Sequence, residues 1–461
     1  MAGHPASPSN RLSIAERVAA TGGRTAGFDY LRIGLAMSII LWHTISTSYG
    51  SAFELTIWRG PIGILMHLVL PMFFALSGFL VGGSLDRCPT LISFFSLRVL
   101  RILPALAVEV TLSALVFGPL LTHVDLRTYF SSPEFHRYFL NLVGDIHYLL
   151  PGVFAANPLP RTVNAQLWTV PFELQCYAVL GALAVIGLVR RRQALLVLTI
   201  AAQLLWIHQA IKLGDNGSSN GASGPVLVIS FLVGLLFHLY RERVPLDRRW
   251  FAVSAVASLG LSALPHGAYY LPIPATYLTI YLGLLDPPKR GFLFGGDYSY
   301  GLYLYGFPIQ QVIASIGPSV HHWYLNALIG LPVAFGVAFS SWHLIEKPAL
   351  AQRRRVPGFE RWLLAVVGRR TLPAAGGLTA PNHAPLLSRV GVSRSREPGR
   401  LAGLAWGLAR LGAGLIGVVL LVDAHDRAGL LAILLCFTLT LLPLRERLAA
   451  GAVTASSADG D

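Results

Sequence analysis

Runs of about twenty apolar residues, separated by polar turns, recur along almost the whole length of this 461-residue chain. A run of that length is what an α-helix needs to cross the hydrocarbon core of a bilayer. About twelve spans are predicted, near 28–47, 61–83, 95–121, 163–188, 194–213, 225–240, 250–267, 270–286, 296–316, 323–345, 402–422 and 427–444. The short alternating segments of a membrane β-barrel are missing. The expected fold is therefore all-α, a polytopic transmembrane helical bundle. Two stretches interrupt the rhythm. The segment 122–162 is too long and too polar to cross, and it is rich in His, Asp and aromatic residues; connections of this length are often functional. The segment 349–401 is rich in Pro, Gly and Arg and reads as a flexible linker without a periodic apolar face. The domain reading is a tail at 1–27, a membrane core at 28–350 of about ten spans, a basic linker at 351–401, a two-helix hairpin at 402–444 and a tail at 445–461. We find no convincing internal repeat.

Composition supports the same class. Hydrophobic residues make up 54% and charged residues 13%, with mean hydropathy +0.59, whereas soluble domains carry about 25% charged residues. The net charge is +14, but its distribution argues against nucleic acid as the partner. With a cytoplasmic N-terminus, the inner loops hold Arg87, Arg190 to Arg192, Arg241, Arg243, Arg248, Arg249, Lys289, Arg290 and Arg353 to Arg355. The outer loops hold few basic residues, which is the positive-inside pattern and places both termini in the cytoplasm of a plasma-membrane protein. The first 27 residues lack the apolar centre of a signal peptide. The three cysteines, Cys88, Cys176 and Cys436, have no metal-ligand spacing, the histidines form no metal motif, and no catalytic metal is expected.

The chemistry-bearing residues lie inside the spans, where ionisable groups are costly and by default mark function. Arg32 and His43 are eleven residues apart in the first span, about three turns plus 20°, so both share a face about 16 Å apart in height. Arg98 and Arg101 share a face of the third span. Paired guanidiniums suit a phosphorylated ligand from the cytosol; the alternative is a membrane anchor that snorkels to lipid phosphates. Glu109, eleven residues beyond Arg98, is a candidate partner for His43 or a structural carboxylate. Glu173, deep in the fourth span after Pro171, is open to three roles: orienting His43, binding a sugar hydroxyl or bracing helices. Ser77 and Gly78 suggest close helix packing. Tyr298, Tyr300, Tyr303 and Tyr305 suit either an aromatic belt or a polar cavity lining.

In order and spacing these residues resemble the acyltransferase-3 family of integral-membrane O-acyltransferases, which act on bacterial polysaccharides and macrolides. The resemblance covers about 28–350 and rests on Phe28-Asp-Tyr-Leu-Arg32 with His43, Phe73-Phe-Ala-Leu-Ser-Gly-Phe-Leu80, and Arg98-x-x-Arg101 followed by Ile102-Leu-Pro104. It continues through Leu167-Trp-Thr-Val-Pro-Phe-Glu173, Ser299-Tyr-Gly-Leu-Tyr-Leu304 and Glu346-Lys-Pro348. It implies ten core helices, an acyl-CoA donor (commonly acetyl-CoA) with no tightly bound cofactor, and an acceptor hydroxyl on a glycan or glycosylated small molecule. By motif, it makes His43 the catalytic histidine with Glu173 as a characteristic carboxylate, and Arg32, Arg98 and Arg101 donor-side residues. In that reading His43 takes the acceptor proton, and Trp168, Tyr300 or a backbone amide serves the developing oxyanion, with Trp168 and Tyr300 the substrate-binding candidates. The outer loop, with Asp125, Glu134, His136 and Asp145, suits a polar acceptor. One departure is Gly306, where relatives often have a histidine. The rival classes are a proton-coupled transporter, against which the missing repeat argues, and an inactive family member serving as an assembly partner.

Overall fold

The computed structural model describes residues 12–23, 25–214, 223–289 and 296–369. Among them the chain is helical, with only two isolated β-bridges, Ser13 to Pro245 and Thr122 to Val153. The helices in order are α1 (Ile14–Ala20), α2 (Ala26–Tyr49), α3 (Ser51–Trp58), α4 (Pro61–Arg87), α5 (Leu91–Leu112), α6 (Gly118–Leu121), α7 (Leu126–Ser131) and α8 (Pro133–Tyr138). They continue as α9 (Val170–Val185), α10 (Arg192–Leu213), α11 (Gly224–Leu239), α12 (Arg248–Ser262) and α13 (Pro272–Gly283). The last are α14 (Ser299–Ala314), α15 (Trp323–Ser341), α16 (Lys347–Ala351) and α17 (Val356–Arg369). The expected hairpin at 402–444 and tail at 445–461 lie outside the described residues.

Five helical segments are long and apolar enough to cross a membrane: Pro61–Arg87, Leu91–Leu121, Ala165–Val185, Arg192–Leu213 and Trp323–Leu363. This is a multi-pass membrane protein. The 24-residue α2 stands outside those five; Asp29, Arg32, His43 and the polar turn Thr44 to Ser48 dilute its apolar character. Two long segments contain π-helical stretches, Ser113–Phe117 and Trp342–Glu346. Such insertions turn side chains out of the regular helical register and often occur at functional sites. Here one follows Glu109 by one turn and the other ends on Glu346.

The most extensive helix packing among the described residues is between α4 and α11, where small residues let backbones touch. A Cβ on Gly78 would stand 2.0 Å from the Phe231 carbonyl oxygen, and one on Gly234 would stand 2.1 Å from that of Ala75. The expectation for Ser77-Gly78 therefore has its counterpart on α11. Helices α2 and α14 run side by side, with α15 against both, and these carry the face on which the site is built.

Two of the expected segments outside the core contain helices among the described residues. The tail at 1–27 contains α1, closed by a capping box in which Ser13 and Glu16 satisfy each other's backbone. Ile14 is fully buried and its N–H donates to the Val244 carbonyl, so one apolar anchor holds this part of the tail on the bundle. Within the expected linker 351–401, the described residues continue as a 3-10 turn and α17. Val356 and Glu360, four apart and both buried, face one side of α17, and Ser93 of α5 donates to Glu360 Oε2 at 2.7 Å. The Pro- and Arg-rich composition concealed that face.

Candidate active site

A cavity of about 810 Å³ lies among α2, α4, α5, α9 and α14. At its exposed end it is lined by Gly22, Gly23, Arg87 and Lys289. Arg32, Arg98 and Arg101 line the walls, followed by an apolar stretch that includes Phe73, Phe74 and Leu80. Thr169 and Tyr303 close the inner end: their hydroxyls are in hydrogen-bond contact, and the Tyr303 hydroxyl also donates to the Gln166 carbonyl at 2.6 Å. Its size is that of a small-molecule site, and its lining combines a cationic group of arginines with apolar side chains and the polar groups of Glu173, Thr169 and Tyr303.

The three arginines, alike in the sequence, differ in the fold. Asp297 Oδ2 accepts from Arg32 Nη1 at 2.9 Å and from Arg101 Nη2 at 2.7 Å, and Ser299 donates to Oδ1 at 2.6 Å. Arg101 Nη1 also reaches Glu346 Oε2 at 3.3 Å, and Ser341 donates to the other Glu346 oxygen at 3.2 Å. Arg32 and Arg101 thus tie α2, α5, α14 and the end of α15 together around two carboxylates. Arg98 has no carboxylate partner among the described residues. Its Nη2 donates to Ser84 at 3.0 Å, its Nε is buried without a partner, and its guanidinium stands 5.7 Å from the Phe94 ring and 5.8 Å from the Tyr177 ring. Of the three arginines Arg32, Arg98 and Arg101, it is the one without a carboxylate partner among the described residues, and so has charge to offer a ligand. Glu346 opens one quoted motif and Asp297 lies two residues before another, and neither received a role. The signal was there, because buried guanidiniums need counter-charges.

Of the other sequence candidates, Glu173 lines the cavity and accepts from the Tyr177 hydroxyl at 2.6 Å; no hydrogen bond joins it to His43. Tyr300 also lines the cavity, but its hydroxyl is used by the Ile102 carbonyl at 3.0 Å and its ring faces the Arg101 guanidinium at 5.7 Å. Trp168 does not line the cavity and packs edge-on to Phe172. His43 is half-buried beyond the closed end, its ring edge-on to Phe307 at 5.1 Å and 82°, and its ring nitrogens make no hydrogen bond among the described residues. Glu109 is not its partner: one Glu109 oxygen accepts from Ser113 and from Asn164, both at 2.9 Å. The shared register of His43 and Glu109 was read from the helices separately, and their relative rotation sends the two side chains to different neighbours. At Gly306 a Cβ would stand 2.7 Å from Ile40 Cγ1, so a side chain there would have to displace Ile40, one turn before His43.

The segment 122–162 does not cross the bundle. It folds as α7, α8 and a 3-10 turn around Tyr129, Phe130, Phe135 and Phe139, and Asn157 and the Gln311 side chain bind it to α14. Its polar candidates are engaged locally. Asp125 caps α7 through the Thr128 N–H at 3.0 Å, which holds its carboxyl below the usual range. Glu134 pairs with Arg161 at 3.0 Å, His136 contacts the Ser132 carbonyl at 2.9 Å, and Asp145 faces His147 at 3.4 Å.

A polytopic bundle with a cation-walled cavity and a histidine beyond its closed end defines a class that comparison then specifies. Residues 25–345 match the family model described as an acyltransferase domain. The chain belongs to this acyltransferase family and is a membrane-embedded O-acyltransferase. It is 26% identical over 342 residues to an O-acetyl transferase of Shigella phage Sf6, covering 70% of this chain and 96% of the relative. It is 29% identical over 366 residues to Nodulation protein 10 of Rhizobium leguminosarum bv. viciae, covering 72% of this chain and 95% of the relative. No solved structure matches it.

Proposed function

We propose that the enzyme moves an acyl group, commonly acetyl, from acyl-CoA to a hydroxyl of a sugar on a cell-surface glycan or a glycosylated small molecule. The observation that carries this reading is the cavity itself, which combines basic residues at its exposed end, Arg98 without a carboxylate partner among the described residues, and apolar side chains such as Phe73, Phe74 and Leu80. A CoA ester has parts that complement these. Its phosphates meet Arg98 and the basic rim, where a planar guanidinium bonds phosphate oxygens in pairs. Its pantetheine arm lies along Phe73, Phe74 and Leu80, and its thioester reaches Thr169 and Tyr303. Arg32 and Arg101 hold the wall in shape through Asp297 and Glu346 and keep further N–H donors for the ligand.

His43 acts as general base on the acceptor hydroxyl. Phe307 fixes the plane of the imidazole, and both ring nitrogens are available for proton transfer. The acceptor approaches from the side of the 122–162 segment, opposite the donor. The same reading carries ten core spans in an inner membrane, both termini in the cytoplasm and the donor mouth facing the cytosol.

The test is transfer of label from radiolabelled acetyl-CoA in membranes bearing the wild type, His43→Ala or Arg98→Ala, with glycan and small-molecule extracts counted separately. The expected result is transfer by the wild type and its loss in His43→Ala at equal protein level. The labelled fraction then identifies the acceptor class. No transfer, or equal transfer in all three, overturns the assignment and brings a transporter forward.

A further inference from the structure

Gln166 is only 1% exposed, yet neither Oε1 nor Nε2 of its side chain has a hydrogen-bond partner among the described residues. Leaving a buried polar group unpaired is costly, and such groups in native structures call for an explanation. The position of this one is specific. It lies in the 3-10 turn Ala165–Thr169, where residues three apart eclipse one another. Gln166 therefore sits directly behind Thr169, which closes the cavity. Its Nε2 lies 3.8 Å from where a Cβ on Gly306 would stand, with the Ile40 side chain at the same point. Gly306 precedes Phe307, against which His43 packs, and Ile40 precedes His43 by three residues. Gln166 is not itself among the residues lining the cavity; its free amide lies one 3-10 turn from Thr169, beside Ile40 and Gly306, on the side of the cavity lining towards Phe307 and His43.

We propose that the Gln166 amide is a catalytic residue that donates to the thioester carbonyl oxygen of the donor, and this rests on the acyl-transfer reading above. The acceptor oxygen attacks the thioester carbon as its proton passes to His43. Charge develops on the carbonyl oxygen, and the Gln166 N–H holds it there. The carbon–sulfur bond then breaks, and the departing thiolate takes the proton from the imidazolium, so acyl ester and free thiol leave with atoms and charge balanced. A neutral amide suits this position because it donates without bringing a buried charge that would need a counter-ion. Of the sequence alternatives, the Tyr300 hydroxyl serves less well, because it is committed to a backbone carbonyl.

The experiment uses the full-length protein in detergent, as wild type, Gln166→Leu and Gln166→Met, with acetyl-CoA as donor. Each variant must elute as a single peak, and the unbranched Met stands in if Leu does not. The expected result is a fall in kcat of about 10²–10³-fold with the KM for acetyl-CoA within about threefold of wild type. In a His43→Ala background, which prevents turnover, infrared spectra of bound [1-13C]acetyl-CoA should show the thioester carbonyl band below its position in free donor. Adding Gln166→Leu should return the band towards the free value. A kcat within about threefold of wild type, a loss confined to KM, or a band unmoved by the substitution each overturns the proposal. A wild type that transfers nothing from acetyl-CoA overturns both this inference and the reading beneath it, whereas an active wild type with an equally active Gln166 variant overturns this inference alone.

Discussion

Arg98→Ala and Arg101→Ala, three residues apart on one helix, are expected to fail in different ways. Arg101 bonds Asp297 at 2.7 Å and Glu346 at 3.3 Å, and the Glu346 side chain is 1% exposed. Removing one partner of a buried pair costs about 3–5 kcal/mol, because the other charge is left buried without compensation. Asp297 keeps Arg32, and the arginines are about a quarter exposed, so roughly 2–4 kcal/mol is the working figure for Arg101→Ala. Arg98→Ala strands no carboxylate. It removes two ring contacts of about 0.5–1 kcal/mol each and leaves Ser84 without its donor. Its main cost falls on the donor: loss of charge-assisted bonds of about 1.5–3 kcal/mol raises the KM for acetyl-CoA by roughly 10- to 150-fold. The assay pairs thermal unfolding of the purified protein, followed by size-exclusion fluorescence, with donor KM. Arg101→Ala should lower Tm by several degrees more than Arg98→Ala, and Arg98→Ala should carry the larger KM effect per degree lost. The double change Arg101→Met/Glu346→Met should recover much of the lost stability, since an apolar pair of similar volume removes the stranded charge. Equal Tm losses with equal KM changes would refute the division of labour among the arginines.

Further outcomes follow from single contacts. Gly78→Val should abolish the folded, monodisperse peak, because its Cβ meets the Phe231 carbonyl at 2.0 Å and backbone must move; a normal peak would refute backbone contact between α4 and α11. Tyr300→Phe should keep kcat within about threefold of wild type while costing about 1 kcal/mol of stability, and a 100-fold fall would restore Tyr300 as an oxyanion donor. Asp125→Ala should speed hydrogen exchange of the Thr128 amide without changing transfer. Because the carboxyl of Asp125 is held below its usual value by that bond, the protection it gives should persist from neutral pH down to about 4 and fade as pH falls through the lowered pKa. Protection that faded from pH 6 downward would contradict the cap.

The class of the protein was legible in the chain itself, because apolar runs of bilayer length and intramembrane charges are local properties that need no knowledge of packing. The helices α2, α4, α5 and α14 occupy segments close to those the hydropathy pattern marked. Helical spacing put Arg98 with Arg101, and both do face the cavity with Arg32. What spacing on one helix does not contain is the rotation of that helix against its neighbours. That rotation sent Glu109 to Asn164 and Ser113 instead of His43, committed the Tyr300 hydroxyl to Ile102, and turned Trp168 out of the cavity wall. It also brought Asp297 and Glu346, each about 200 residues or more from Arg101 in sequence, onto the guanidiniums and left Arg98 without a carboxylate among the described residues. Electrostatic partners in a membrane bundle are chosen by side chains from different helices that must neutralise one another in a low-dielectric interior. Periodicity along one helix shows which groups need a partner, and only the packed fold decides which partner each receives.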